Sequence, residues 1–468
     1  MSKNITSVPS LFQIAQKLFR FAIPISASHL LNIITSFISM KMLACLGQIP
    51  LAASALAVTT FITITVMIGA IFDAISILIS HQNQNKTQEA AIMIKHGFVL
   101  ALILSIPEAL VFWNIDGLLL YCGQDPQLVE LCTPYFQFAA ISVFPSLFTA
   151  VIMQYFFGIG KSQYTLWSTL LCIPFTLLTS YGFILGHFGL PGLGLAGMTC
   201  ANLVVQSTLL CCLMLWFYRY RHQYPLFTGH SWFKWSTCKA ILALGLPMGV
   251  QFGGEIAAIT AATWLLGYFG TTPLAANQLV SQYFMIMLML ILGLNQAQAI
   301  LISEAYGKKE LHHISKYLTA AVFILSLYCL VSAVLFCGFP DLLISIYMGH
   351  QWIDPSFHDL AKIFFTLSVI YLIIDGIRIL LSGALRGMHQ SKAPMRIGIF
   401  SLWLISTPVS YLVGFVWHQG PIGLRIGFMS GYLVACILLW FQTQKSLGIL
   451  KHESTTPCSP TVETLLPS

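Results

Sequence analysis

The sequence predicts an all-α polytopic membrane protein: twelve transmembrane helices in two pseudo-symmetric six-helix bundles, with both termini cytoplasmic. Three observations carry this. The 468 residues are 57% hydrophobic and only 8% charged, far from the composition of a soluble globular domain. Windows of about 19 residues pick out twelve apolar runs. The chain also repeats itself: a gapless shift of residues 24 to 81 by 223 positions sets Pro24 on Pro247, Gly47 on Gly270, and Pro50-Leu51-Ala52-Ala53 on Pro273-Leu274-Ala275-Ala276. Leu56 then meets Leu279, and Ile79-Ser80 meets Ile302-Ser303.

Residues 1–17 are polar and then weakly amphipathic, without a signal-peptide cleavage pattern, so they read as a cytoplasmic segment before a retained first span. The N-lobe, 18–217, holds spans 18–43, 51–79, 93–113, 133–158, 163–187 and 191–217. An inter-lobe linker follows over 218–240, basic at Arg219 and Arg221 and broken by Pro225 and Gly229. The C-lobe, 241–442, holds spans 241–267, 273–302, 316–338, 360–384, 394–416 and 421–442. Residues 443–468, rich in Thr, Ser and Pro from Lys445 onward, are expected to form a disordered cytoplasmic tail. A second match, shifted by 229, sets Gly158 on Gly387 and Ser162 on Ser391, so spans 4 and 10 are partners. With six spans per half, both copies enter the membrane in the same direction. Such a parallel repeat is a transporter architecture.

Orientation follows from Lys and Arg, which are retained on the cytoplasmic side. With the N-terminus inside, all of the 22 basic residues but Lys41, Lys362, Arg378 and Arg425 fall in cytoplasmic segments or in the first three residues at the cytoplasmic end of a span, while Asp116, Asp125, Glu130, Asp341, Asp354 and Asp359 lie opposite. The net charge of +7 is thus a topology signal, and no nucleic-acid partner is implied. The twelve cysteines lack metal-ligand spacing and read as small core residues.

Ionisable groups at membrane depth point to function, because a charge at mid-membrane costs roughly 2.5–3.5 kcal/mol on insertion scales. Glu255 lies about halfway across span 7 and Asp375 about halfway across span 10. Tyr371, one turn before Asp375, and Arg378, one turn after, can share its face. Two carboxylates with hydroxyl and carbonyl oxygens suit a shared proton or a hard cation such as Na+. Two plainer readings stand beside this. Glu255 can be a protonated group bonded to a neighbouring helix, and Asp375 can be neutralised by Arg378 in an ordinary intrahelical ion pair. In the first copy the counterparts are Asn32 and Ser146, neither ionisable, so an ion site would belong to the C-lobe alone. Lys41 is expected to snorkel to the outer surface. Asp73, opposite Gln296 in the repeat, suits a gating hydrogen bond, and Glu108, after Pro107, is expected at the outer interface.

Together, Leu244-Gly245-Leu246-Pro247 leading to Glu255, Pro273-Leu274-Ala275-Ala276-Asn277-Gln278 opening span 8, Tyr371 with Asp375, and Leu385-Arg386-Gly387 closing span 10 resemble the multidrug and toxic compound extrusion (MATE) transporters, particularly their NorM-like branch. The resemblance runs from about residue 15 to 442. It implies two six-helix bundles forming a V around a cleft, and Na+- or H+-coupled antiport of amphipathic, mostly cationic compounds by alternating access. It also implies Glu255, Asp375 and Tyr371 as the cation-coupling residues. One departure is that bacterial members often carry an acidic residue where this chain has Ser39, with Lys41 two positions on; another is Arg378 beside Asp375. A monomeric, non-enzymatic protein without cofactors is expected, in contact with small molecules and membrane lipids, with a bacterial inner membrane as the default location. The Met-rich run Met285 to Met289 suits a promiscuous cleft or, equally, lipid-facing bulk. The alternative within transport is a flippase or exporter of a lipid-linked precursor or specific metabolite. An enzyme would need His, Asp or Cys residues converging at triad or ligand spacing, and none are spaced so.

Overall fold

The computed structural model describes residues 11–44, 46, 48–81, 86–121, 126–219, 234–348 and 355–455. Among them every regular element is helical. In chain order these are α1 (Leu11–Ala44), α2 (Gln48–His81), α3 (Lys86–Trp113), α4 (Ile115–Tyr121), α5 (Pro126–Gly158), α6 (Ser162–Leu185) and α7 (Leu195–Arg219). After residues 220–233 come α8 (Trp235–Gly267), α9 (Thr271–Gly307), α10 (Leu311–Gly338), α11 (Pro340–Met348) and α12 (Pro355–Gly387). The next span is composite: α13 (Lys392–Ile399), a π-helical stretch Phe400–Ser406, α14 (Thr407–Tyr411) and a second π-helical stretch Leu412–Val416. The last helix is α15 (Gly420–Thr455). Twelve of these segments are long and apolar enough to cross a membrane. In hydrocarbon only an α-helix satisfies its own backbone, which is why unbroken apolar runs become unbroken helices.

The structure adds two short helices that the apolar windows pass over, α4 and α11, each after the third span of its half. Their seven and nine residues are too short for a span and begin with Asp116 or Pro340-Asp341, where an acidic side chain favours a helix start. Their matching positions extend the internal repeat.

A glycine pair shows the same repeat in packing. A Cβ placed on Gly158 at the end of α5 would come within 2.7 Å of Ile79 Cβ and 3.1 Å of the Ser76 carbonyl oxygen on α2. On Gly387, ending α12, it would come within 2.7 Å of the Ala299 carbonyl oxygen and 3.0 Å of Ile302 Cβ on α9. The contacted residues are themselves repeat partners, so one close crossing has been built twice. Overpacking such a contact costs roughly 1–3 kcal/mol. Gly387→Leu is therefore expected to lower the thermal midpoint of the purified protein in detergent, and an unchanged midpoint would show that α12 does not press on α9 there.

The chain divides into two compact units, one of Ala27–Ile256 and one of Met1–Ser26 with Ala257–Ser468. The boundaries fall inside α1 and α8, not in the segment 218–240, of which 220–233 lie outside the described residues. In the first unit the start of α8 lies on α2, with Gly249 against the Met67 carbonyl. In the second the start of α1 lies on α9, where Ser26 donates to the Leu290 carbonyl at 3.1 Å and Gly293 gives room for it.

Two features of the last spans correct the sequence reading. The span expected as a plain helix over 394–416 widens to π geometry around Pro408, with Thr407 Oγ1 donating to the Leu402 carbonyl at 3.0 Å. Proline offers no amide to the regular ladder, and an i→i+5 turn takes up the mismatch. The tail expected to be disordered from 443 instead begins as helix, since α15 runs to Thr455. Thr443 and Ser446 are buried, and Ser446 donates to Gln390 Oε1 at 2.7 Å. Residues 456–468 lie outside the described residues.

Candidate functional site

In the unit containing 257–468, α12 carries the predicted group on one face. Tyr371, Asp375 and Arg378 stand one turn apart, and the structure brings all three together. Arg378 Nε donates to Asp375 Oδ1 at 2.7 Å, and both side chains are about 95% covered, with 4% and 5% exposure. The guanidinium also lies over the ring of Tyr432 on α15, 5.1 Å from its centre. Tyr371 meets the same ring edge-on at 4.8 Å and stacks on Phe284 of α9, also at 4.8 Å. Ala258, Leu402 and Phe428 complete the packing around Tyr432 and Tyr371. The assembly is thus a buried acid–base pair with an aromatic wall drawn from three helices.

A buried ion pair of this kind is weak evidence for stability, because desolvation offsets much of the attraction. Among the described contacts, Asp375 pairs with Arg378, whose guanidinium also faces the Tyr432 ring. The ion pair that both readings of Asp375 allow at i+3 is formed.

The unit 27–256 holds the remaining residues singled out. Glu255 lies past the middle of α8, where Gln251 Nε2, one turn earlier, donates to its Oε1 at 2.8 Å. Gln251 is buried and was legible as an i,i+4 partner, although the sequence reading passed over it. Asp73 Oδ1 accepts from Gln154 Nε2 of α5 at 2.5 Å. Ser39 is buried and donates to Ser180 Oγ at 3.3 Å. Asn32 and Lys41 are exposed on α1. Glu108, expected at the interface, is instead buried in the protein with 1% exposure. Helices α2 and α5 cover it, and no residue spacing along α3 announces that.

The Met-rich run of α9 divides. Met285 is exposed, whereas Met287 is turned toward α10 and accepts from Tyr328 OH at 2.8 Å through its sulfur. Outside the spans, a hydrogen bond from Lys308 to Glu304 at 2.7 Å holds the Lys308 ammonium above its usual range. Lys17 Nζ lies 3.8 Å from the other Glu304 oxygen and donates to Tyr317 OH at 3.2 Å. Asp341, on α11, is held below the ordinary carboxylate range by Lys362 at 2.9 Å, with His358 at 2.8 Å adding to it.

Comparison with known proteins identifies the family. The MatE family model matches residues 24–181 and 247–412, one match in each half of the repeat. A relative described as "Probable multidrug resistance protein NorM" in Synechocystis sp. is 25% identical over 438 residues, covering 92% of this chain and 94% of its own. One of the same description in Rhizobium meliloti is 27% identical over 449 residues, covering 93% and 94%. Among solved structures, a multidrug resistance MATE family transporter of the MOP superfamily in an outward-facing conformation superposes with a TM-score of 0.85 at 19% identity, covering 94% of this chain and 97% of that one. A eukaryotic MATE transporter does so at 0.81 and 18% identity, covering 95% and 99%. At those identities the structures speak for the fold alone. The family model spans well over half of the chain, and the relatives run nearly its full length: this multi-pass membrane protein is a NorM-like member of the MATE family, a transporter and not an enzyme.

Proposed function

We propose that this chain is a cation-coupled antiporter that exports amphipathic, mostly cationic compounds across a bacterial inner membrane by alternating access. Efflux is supported by the descriptions of its relatives as multidrug resistance proteins. The coupling rests on one observation, the buried Asp375–Arg378 pair walled by Tyr371, Tyr432 and Phe284. The coupling ion, Na+ or H+, competes with Arg378 for Asp375. When it wins, Arg378 loses its carboxylate and its guanidinium shifts onto the Tyr432 ring, which repacks the α12–α15 contact. Glu255, held by Gln251, is the second coupling carboxylate.

One monovalent charge moving down a membrane potential releases ~2.3 kcal/mol per 100 mV. That shifts a two-state equilibrium about fiftyfold, enough to drive a change of access.

Replacing Glu255 by glutamine is expected to lower gradient-driven dye efflux from proteoliposomes at least tenfold while leaving the protein folded. Efflux at the original rate would remove Glu255 from the coupling scheme.

A further inference from the structure

Among the described residues, the efflux mechanism leaves one buried carboxyl unused. Glu108 stands on α3, in the unit 27–256, with both carboxyl oxygens buried and without a hydrogen-bond partner of ordinary geometry. It faces Thr65 on α2, whose hydroxyl oxygen is buried and unpartnered in the same way. One turn outward on the same two helices, Phe61 and Phe112 stack at 5.4 Å. The two contacts follow one antiparallel register, so the aromatic pair roofs the carboxyl–hydroxyl pair. Tyr135 and Phe136 of α5 back the roof at 6.2 Å from Phe61 and 6.0 Å from Phe112.

Among the described residues, the helices that pack most on α3 are α2, α4 and α5. The titratable groups they bring toward Glu108 are Cys132 and Tyr135 of α5, neither a cation. On α2 the next is Asp73, about 12 Å inward along the helix and already bonded to Gln154. Asp116 of α4 caps its own turn through Gly117, and Glu130 of α5 is exposed. On α3 itself, Lys95 and His96 lie about 18–20 Å inward along the helix. Among the described residues no Lys, Arg or His reaches Glu108.

An anion enclosed this way, with neither cation nor amide donor, carries the full desolvation penalty of an unpaired buried charge. A neutral acid does not, and Thr65 Oγ1 stands across from it as an acceptor for its O–H. A metal ion does not fit instead: hard cations take six or more oxygens, whereas three oxygens and an aromatic shell face this point.

We propose that Glu108 is a proton-carrying site of the 27–256 unit, holding its proton toward Thr65 and exchanging it with water when α2 and α3 part during transport. In that step the O–H bond breaks, the electron pair stays on the carboxylate, and the proton passes to the admitted water. The site is separate from Asp375 and would make α2–α3 packing sensitive to the proton gradient.

The test is infrared difference spectroscopy on the full chain reconstituted in phosphatidylethanolamine–phosphatidylglycerol vesicles. At pH 7 the wild type is expected to show the carbonyl stretch of a protonated carboxylic acid that Glu108→Gln lacks, and raising the pH should remove it reversibly. A wild-type minus Glu108→Gln spectrum containing only carboxylate stretches at pH 7 overturns the proposal. Should Glu108→Gln fail to fold, Thr65→Val decides: loss of the acceptor should move the acid band to higher frequency, and an unmoved band overturns the pairing. In a second arm, Glu108→Gln should slow pH-gradient-driven dye efflux at least tenfold, and an unchanged rate removes Glu108 from the cycle. The infrared arm needs no transport, so its outcome is independent of the efflux reading.

Discussion

Removing either partner of the Asp375–Arg378 pair alone is expected to destabilise the protein by about 3–5 kcal/mol, because each single change leaves the other charge buried without its counter-ion. Asp375→Asn strands the guanidinium over Tyr432, and Arg378→Gln strands the carboxylate between Tyr371 and the α15 wall. The double variant Asp375→Asn with Arg378→Gln replaces both charges by amides of similar shape and should recover most of the loss. A thermal-shift cycle in detergent measures this directly, through the difference between the double variant and the sum of the singles. Additive losses would mean that the two side chains do not rely on each other, contrary to their 2.7 Å contact.

The second large effect concerns transport and follows from the first. Because Asp375→Asn alone weakens the fold, loss of efflux in that variant would mix two causes. The double variant is the cleaner protein: folded, yet without a carboxylate for an ion to win from arginine. It is expected to lose gradient-driven efflux by at least tenfold, while the direct binding of a fluorescent cationic dye changes far less. Equal loss of dye binding would instead assign Asp375 to the substrate, a different mechanism from ion coupling.

Much of this architecture was legible in the residues, and for identifiable reasons. Apolar runs long enough to span a bilayer have one stable backbone solution, so the spans could be drawn from composition alone. Gly158 and Gly387 were legible as repeat partners, and the reason for glycine, a close approach of α2 or α9, needed the structure. Arg378 three residues after Asp375 was readable as a pair, because i,i+3 neighbours share a helix face. Its aromatic wall was not, since Tyr432 and Phe284 come from helices far away in sequence. Gln154 beside Asp73 was hidden for the same reason. Glu108 illustrates the limit most sharply, for its position near the outer end of α3 suggested an interfacial group, and only packing by α2 and α5 buries it. The helical residues after 443 were read as tail because their composition is polar, while the contact of Ser446 with Gln390 that holds them is tertiary.

The central claim is that an ion taken up at Asp375 in competition with Arg378 drives export. It is tested most directly by reconstituting the protein in liposomes and following efflux of a fluorescent cationic dye, under an imposed Na+ gradient and then under a pH gradient. Wild type is to be compared with the Asp375→Asn, Arg378→Gln double variant. The account predicts efflux driven by at least one of the two gradients in the wild type and by neither in the double variant. Efflux that persists in the double variant under the same gradient, with dye binding intact, would contradict it and place the coupling ion elsewhere in the chain.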